Sequence, residues 1–431
     1  MGTEPFSRRS FLAAAGLAGI SVPVLGACGG DSDDSGGSGK KVTIEWWNIA
    51  TTEPGRTLWP QAAKAYEAAH PNVQIKMTSL ENDAYKSKMT AQTASGKLPD
   101  IFHTWGGGVL QQQVEAGLVK DITGGVAPWI GNLSPIAVQP YQLDGKTYAV
   151  PYDIGMVGFW YNKALFAKAG IKAPPATWAE LIEDVRKLKA AGVTPIALAG
   201  KEKWPGHYYW SYLAIRIGGV AALKQAAQTK DFSGAPFVQA GQRLKELVDL
   251  APFQNGFQGA AYPSTDGQAA QMSNGKTAME LMGQWAPNVQ KEMGKGLGDD
   301  LGFFPFPTVQ GGSGAVTEAF GGGGGNALSK DAPDEALDFL KFFASVENDR
   351  KRVASKAFLP IAKGAESAIT DPNLKTVSQT LNSASGFQLF LDQAFPPAVG
   401  QEVNDQVAAL VGGKASPEQV AQAITKTAKS Q

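Results

Sequence analysis

Apolar positions along the chain switch repeatedly between a period of two and a period near 3.6. Lys41 to Trp47 (KVTIEWW) is β-branched and aromatic and predicts a short strand. Leu58, Ala62, Ala65, Tyr66 and Ala69 then recur at helical spacing, and His70-Pro71-Asn72 ends the run. Val73 to Met77 alternates again as a second strand. A further helical segment closes at Gly96, and Pro99 to Trp105 (PDIFHTW) predicts a third strand running into a glycine turn. Farther on, Thr177 and Glu180 have the spacing of a capping box. Behind them Trp178, Leu181, Ile182, Val185 and Leu188 form one apolar stripe, and Val193 to Ala199 returns to strand. A helix is expected from Pro333 to Ser345, with Gly321 to Gly325 before it as a close-packed turn. This alternation predicts α/β layers with mainly parallel sheets.

The N-terminus breaks the pattern. Arg8 and Arg9 precede an apolar run from Phe11 to Val24, and small residues continue as far as Ala27. Basic, apolar and small regions in that order make an export signal. The run is shorter than the roughly twenty residues a membrane-spanning helix needs. Ser7-Arg8-Arg9-Ser10-Phe11-Leu12 resembles the twin-arginine signal of prefolded exports, although an ordinary secretory signal can carry two arginines. Leu25-Gly26-Ala27-Cys28 resembles the lipobox of bacterial lipoproteins, which implies lipidation of Cys28 and a mature chain starting there. A lone cysteine is ordinarily a buried thiol. Here it stands between the apolar run and GGDSDDSGGSG, residues 29–39, a composition that reads as a flexible tether. The expected order is therefore a signal over 1–27 and a tether over 28–40.

Composition narrows the rest. Loss of Arg8, Arg9 and Glu4 leaves 37 basic against 38 acidic side chains, a formal charge of −1. Such a chain has no electrostatic footprint for nucleic acid or an anionic membrane. With 43% hydrophobic residues over nearly 400 positions, a core can carry the stability, and the length predicts two domains. No low-complexity linker divides 41–431, which fits two lobes that share several crossings around a cleft.

Several enzyme signatures fail. Gly275-Lys276-Thr277 resembles the end of a phosphate loop, but its earlier glycine is Ala270; for Gly145-Lys146-Thr147 that position is Pro140. The glycine runs at 106–108 and 321–325 miss the dinucleotide pattern. His70, His103 and His207 show no metal-ligand spacing, and no nucleophile-elbow motif is present. Neither a metal nor a cofactor is expected.

Colinear segments then resemble the family 1 extracellular solute-binding proteins of ABC importers, the group that includes maltose-binding protein. They include KVTIEWWN at 41–48, YEAAHPNVQI at 66–75, SGKLPDIFHTWGGG at 95–108 and AGLVKDIT at 116–123. GKTYAVPYDIGMVGFWYNKALFAKAGI at 145–171 and PPATWAELIEDVRKLKAAGVTPIAL at 174–198 come next, then MSNGKTAMELMGQWA at 272–286 and LGFFPFP at 301–307. The resemblance implies an α/β, two-lobed periplasmic-binding-protein fold with hinge crossings near Pro151, Thr308 and Val346. The first lobe would comprise 41–151 and 309–346, the second 152–308 and 347–431. It also implies a monomer outside the cell membrane that closes over a neutral sugar and presents it to an ABC permease, without catalysis.

A sugar offers apolar C–H faces and a rim of hydroxyls, which suit aromatic faces and Asp, Asn, Glu or His. Trp178 on a helical stripe and Trp160 in an apolar strand are expected to be core. Trp285, in Gly283-Gln284-Trp285-Ala286, matches the family's tryptophan platform. Trp105 ends a strand at a glycine turn, and Trp204 and His207 match a family loop with aromatic and polar contacts. Asn48 matches a polar contact, with Thr51 and Glu53 in the same loop; Asp153 and Asp392 complete the expected set. Asp392 lies in a stretch resembling actinobacterial sugar binders. The loop from Ile49 to Arg56 lacks the Asp-Lys pair of maltose binding, which argues against maltose itself. Three other readings stay open on the residues alone. Glycerol phosphodiester binding would call for clustered basic residues, of which Arg56 alone is evident. A secreted glycoside-active enzyme and a sugar-sensing receptor component are the others.

Overall fold

The computed structural model describes residues 41–431; the export signal, Cys28 and the tether lie outside the described residues. In chain order the strands are β1 (Val42–Asn48), β2 (Val73–Ser79), β3 (Ile101–Thr104), β4 (Gln142–Leu143), β5 (Lys146–Thr147), β6 (Ala149–Pro151) and β7 (Gly155–Met156). Then come β8 (Gly158–Asn162), β9 (Thr194–Ile196), β10 (Thr277–Met282), β11 (Leu301–Phe304), β12 (Glu318–Gly322), β13 (Gly325–Leu328) and β14 (Gly386–Leu389).

Two α/β lobes result. One is built on a five-stranded sheet ordered β2-β1-β3-β13-β6, the other on a four-stranded sheet ordered β11-β8-β10-β9. A three-stranded sheet, β14-β12-β7, stands beside them, and β4 pairs with β5 as a hairpin. The chain leaves the five-stranded sheet after β6, builds the four-stranded sheet, and returns through β12 to β13.

Local signals account for the elements. β1, between β2 and β3, turns Ile44, Trp46 and Asn48 inward and Glu45 outward, the period of a half-buried strand. Central strands β3, β10 and β13 are buried along their whole length, because helices cover both faces. Both halves of the capping box form at the helix Trp178–Ala190: Glu180 N donates to Thr177 Oγ1 at 3.2 Å, and Thr177 N donates to Glu180 Oε2 at 3.0 Å. Losing such a cap costs about 1 kcal/mol.

Two expectations are corrected. Parallel pairing holds for β1 with β2 and β3, for β9 with β10 and for β12 with β14. β13, however, runs antiparallel to β3 and β6, and β8 runs antiparallel to both its neighbours, so each sheet is mixed. A parallel neighbour in sequence needs a crossover helix; β13 returns from the other lobe and inserts in the opposite sense. Gly321–Gly325 is not a turn. Its glycines belong to β12 and β13 with a break at 323–324. A Cβ on Gly321 would meet Gly155 O at 2.1 Å, and one on Gly323 would meet Asp153 O at 2.0 Å. Backbone packs on backbone there, beside the first crossing.

Each lobe has an aromatic core. In the first, the Trp46 ring lies parallel to Trp59 at 6.4 Å and edge-on to Phe339 and Phe343, both at 5.3 Å. In the second, Phe159 stacks on Phe304 at 5.1 Å and Trp178 on Phe306 at 5.7 Å. Each such pair adds about 1 kcal/mol beyond area burial. Trp160 and Trp178 are buried, as core positions should be. Buried Arg216 clasps the return segment, donating to the carbonyl oxygens of Phe306, Ala315, Val316 and Glu318. No helix among the described residues is long and apolar enough to cross a membrane.

Candidate functional site

Three glycines, Gly106 to Gly108, follow β3 and Trp105, and two of them pack directly on residues 393–396. Gly106 and Gly107 take positive φ values of 77° and 59°. A Cβ on Gly107 would stand 2.5 Å from Gln393 O, and one on Gly108 would stand 2.3 Å from Phe395 C. Only glycine lets the strand end settle on the short helix Leu391–Ala394. Trp105 is half-buried there, edge-on to His103 at 4.3 Å and to Tyr85 at 5.9 Å.

Lys86, on the helix Asn82–Ser95, completes this junction. Its Nζ donates to Asp392 Oδ2 at 2.9 Å and lies 5.3 Å from the Trp105 ring centre. Asp392 Oδ1 is 3.5 Å from His207 Nε2, and His207 Nδ1 meets Ser211 Oγ at 3.0 Å. Burial alone would push the Asp392 carboxyl up, but Lys86 and His207 together hold it well below the usual carboxylate range. Asp392 is thus a fixed, ionised acceptor.

The second lobe adds a wall of rings. Trp204 lies 5.6 Å from Tyr208 and 5.7 Å from Tyr262, Tyr208 stacks on Phe390 at 5.1 Å, and Phe390 meets Trp285 edge-on at 6.2 Å. Trp204 and Trp285 are each half-buried. The Trp285 indole folds back over Gly283, where a Cβ would fall 2.1 Å from the ring.

The loop after β1 approaches from the first lobe. Asn48 Oδ1 accepts from Ala50 N at 3.0 Å and from Ser79 Oγ at 2.8 Å, while its buried Nδ2 has no partner among the described residues. Glu53 N donates to Glu292 Oε2 at 2.9 Å, and Arg56 Nη1 lies 3.1 Å from Glu292 Oε1. Glu292 belongs to the helix Ala286–Met293, which Trp285 opens, so the Thr51–Arg56 loop rests against that helix. The Glu53 carboxylate itself is held locally by Arg56 and Thr57.

Asp153 is placed differently from the rest. It is buried at the first crossing, where Gln284 Nε2 donates to Oδ2 at 2.8 Å and Leu359 N to Oδ1 at 3.3 Å. Burial pushes its carboxyl up to about 8 despite the backbone donors. The structure therefore brings Trp105, Trp204, His207, Trp285 and Asp392 together, keeps Asn48 buried at the end of β1, sets Thr51 and Glu53 in the loop that meets Glu292, and puts Asp153 against Gln284. Sequence reasoning missed Lys86, Tyr208, Tyr262 and Phe390. Tyr262 carried a signal, an aromatic in the loop Tyr262-Pro263-Ser264; Lys86 carried none.

A cavity of about 490 Å³ lined by Ile217, Gln242, Arg243, Val309 and Gly311 lies elsewhere. It has no aromatic face and includes none of the residues above, so the ring wall is the better candidate. Among the described residues no cluster of His, Cys, Asp or Glu is arranged to hold a metal.

The two lobes define a two-lobed binding-protein fold, which known proteins share. The sequence profile of the family "Bacterial extracellular solute-binding protein" matches residues 50–350, and the chain belongs to that family. It is similar to the multiple sugar-binding protein of Streptococcus mutans, 28% identical over 398 residues that cover 86% of this chain and 90% of the relative. It is similar in structure to a protein solved in work on xylan utilization by the thermophilic bacterium Caldanaerobius polysaccharolyticus, at 31% identity and a TM-score of 0.83. That match covers 89% of this chain and 99% of the other. A chitin oligosaccharide binding protein gives the same TM-score at 26% identity, covering 91% and 99%.

Proposed function

We propose that this protein captures a neutral sugar, an oligosaccharide in preference to a monosaccharide, and delivers it to an ABC import permease. The observation that carries the reading is the ring wall of half-buried Trp204 and Trp285 with buried Tyr262, beside ionised Asp392. Aromatic faces cover the C–H groups of a pyranose, and a fixed carboxylate accepts from its hydroxyls. The relatives named for sugars and chitin oligosaccharides support the same class. A phosphodiester is disfavoured because Lys86 is neutralised by Asp392 and Arg56 by Glu292. A glycosidase needs a carboxylic acid that can reach the sugar and give up its proton, whereas Asp153 and Glu280, whose carboxyls are raised, are buried and bonded to Gln284 and to Gln268 and Gln290.

In this reading the lobes are 41–151 with 309–346 and 152–308 with 347–431, hinged at their crossings. The protein acts as a monomer, anchored on the outer face of the cell membrane by lipidated Cys28 after export by a twin-arginine-like signal. The test is a thermal-shift screen of the mature protein against xylotriose, chitotriose, raffinose, maltotriose and their monosaccharides. A ligand that binds only the folded state raises the melting temperature by mass action. Stabilisation by one oligosaccharide class is expected; no response to any sugar, with response to a glycerol phosphodiester, would overturn the reading.

A further inference from the structure

We propose that Glu280 is a positioning residue for the ring wall, its carboxylate tying together the three chain segments that present Trp204, Tyr262 and Trp285. The inference rests on the reading of that wall as the binding surface. Glu280 lies in the middle of β10 and is wholly buried, with no cation against it. Its two oxygens each take one glutamine: Gln290 Nε2 donates to Oε1 at 2.6 Å and Gln268 Nε2 to Oε2 at 2.9 Å.

Each glutamine holds a different part of the wall. Gln290 lies on the helix Ala286–Met293, the one Trp285 opens. Gln268 starts the helix Gln268–Ser273, and its backbone N donates to Ala261 O at 3.1 Å while Ala269 N donates to Tyr262 O at 3.4 Å. The other end of the Gln268 amide, Oε1, accepts from Ala199 N at 2.7 Å, in the segment leading to Trp204. A second layer repeats the tie, since Tyr262 N donates to Glu202 Oε2 at 3.2 Å and Lys201 N to Ala260 O at 3.2 Å.

A buried acid at the centre of a strand is costly, and burial pushes this one up to about 7 although both amides favour its charge. The ionisable groups that face it are the hydroxyls of Tyr209 and Tyr262, and it pushes both upward. In its ionised form the group accepts and never donates, so it orients both amides with Nε2 inward and leaves Gln268 Oε1 free to reach Ala199. A leucine of similar size would leave two buried amide donors unpaired, which is worth about tenfold or more in local opening.

The experiment is hydrogen exchange by mass spectrometry on the sugar-free mature protein, with calorimetric titration of xylotriose and chitotriose alongside. Glu280→Leu is expected to speed exchange about tenfold or more in 199–204, 260–270 and 285–293 together, while β8 and β11 keep their protection. Glu280→Gln, which keeps one acceptor oxygen, should restore most of that protection. Whichever probe binds the wild type should bind Glu280→Leu about tenfold more weakly, and that loss should vanish when Trp204 and Trp285 are already alanine. Exchange that rises in one segment only, or evenly through the four-stranded sheet, would overturn the inference, as would additive losses in the triple variant. Should Glu280→Leu fail to fold, Gln268→Leu cuts two arms alone: it should loosen 199–204 and 260–270 and spare 285–293, and loosening of all three equally would count against the tie. If neither probe binds the wild type, the titrations are run with the sugar that the thermal-shift screen identifies; if no sugar binds, the sugar reading fails by itself, because the exchange pattern needs no ligand to decide Glu280.

Discussion

Gly283→Ala is the smallest change that tests the platform. Its added methyl would stand 2.1 Å from Trp285 Cζ3 and 2.3 Å from Cη2. Non-bonded carbons settle at about 3.5 Å or more, so the backbone or the indole must yield. The backbone is held, because Gly283 O accepts from Trp160 Nε1 at 3.1 Å and from Ala286 N at 3.0 Å. The indole is only half-buried and meets Phe390 edge-on at 6.2 Å, so the ring should swing. Displacing a buried aromatic anchor costs about 2 kcal/mol of binding, or roughly thirtyfold in affinity. Trp285→Ala should lose the same amount without the added methyl. Stability should fall less than the about 3–5 kcal/mol expected for Trp46→Ala, whose ring is fully enclosed by Trp59, Phe339 and Phe343. Calorimetric titration with the tightest sugar of the panel, beside melting curves, separates these outcomes. Normal affinity with a large drop in melting temperature would make Trp285 a packing residue. Normal affinity with an unchanged melting curve would mean the ring has room, and the geometric reasoning would be wrong.

Glu292→Ala removes the acceptor that joins Arg56 and Glu53 N to the platform helix, so the sugar-free protein should expand in solution scattering and bind its sugar several-fold more weakly; superimposable profiles would defeat the clasp. Asp153 and Glu280 are raised by burial to about 8 and about 7. Their contribution to stability is full below the ordinary carboxylate range near about 4 and is lost as pH rises through 7 and 8. Asp153→Asn should flatten the upper part of that decline in melting curves from pH 5 to 9, and an unchanged slope would contradict the burial cause. Cys28→Ser should move the protein from the membrane fraction to the soluble one; unchanged membrane association on fractionation would rule out the lipid anchor.

Features that depend on neighbours within a turn or two of chain were legible in the residues themselves. The alternation of β1, the stripe behind Thr177 and Glu180, and the glycine turn after Trp105 all appear in the structure because period, cap and φ are local properties. Aromatic residues suited to a sugar face could be named for the same reason, since their chemistry travels with their identity. Which of them meet was settled by long-range packing. The Trp46 indole donates to Asn326, 280 positions away, and Lys86 reaches Asp392 across 306. Lys86 sits on a helix with no marked apolar face, and nothing within its turn distinguishes it from Lys88. Asp153 and Asp392 are both carboxylates beside aromatic residues, yet one is pushed up and the other held down. Lys86 and His207, far away in sequence, meet Asp392 directly and outweigh its burial, whereas Arg352, the cation that acts on Asp153, is already paired with Asp349 and burial wins there.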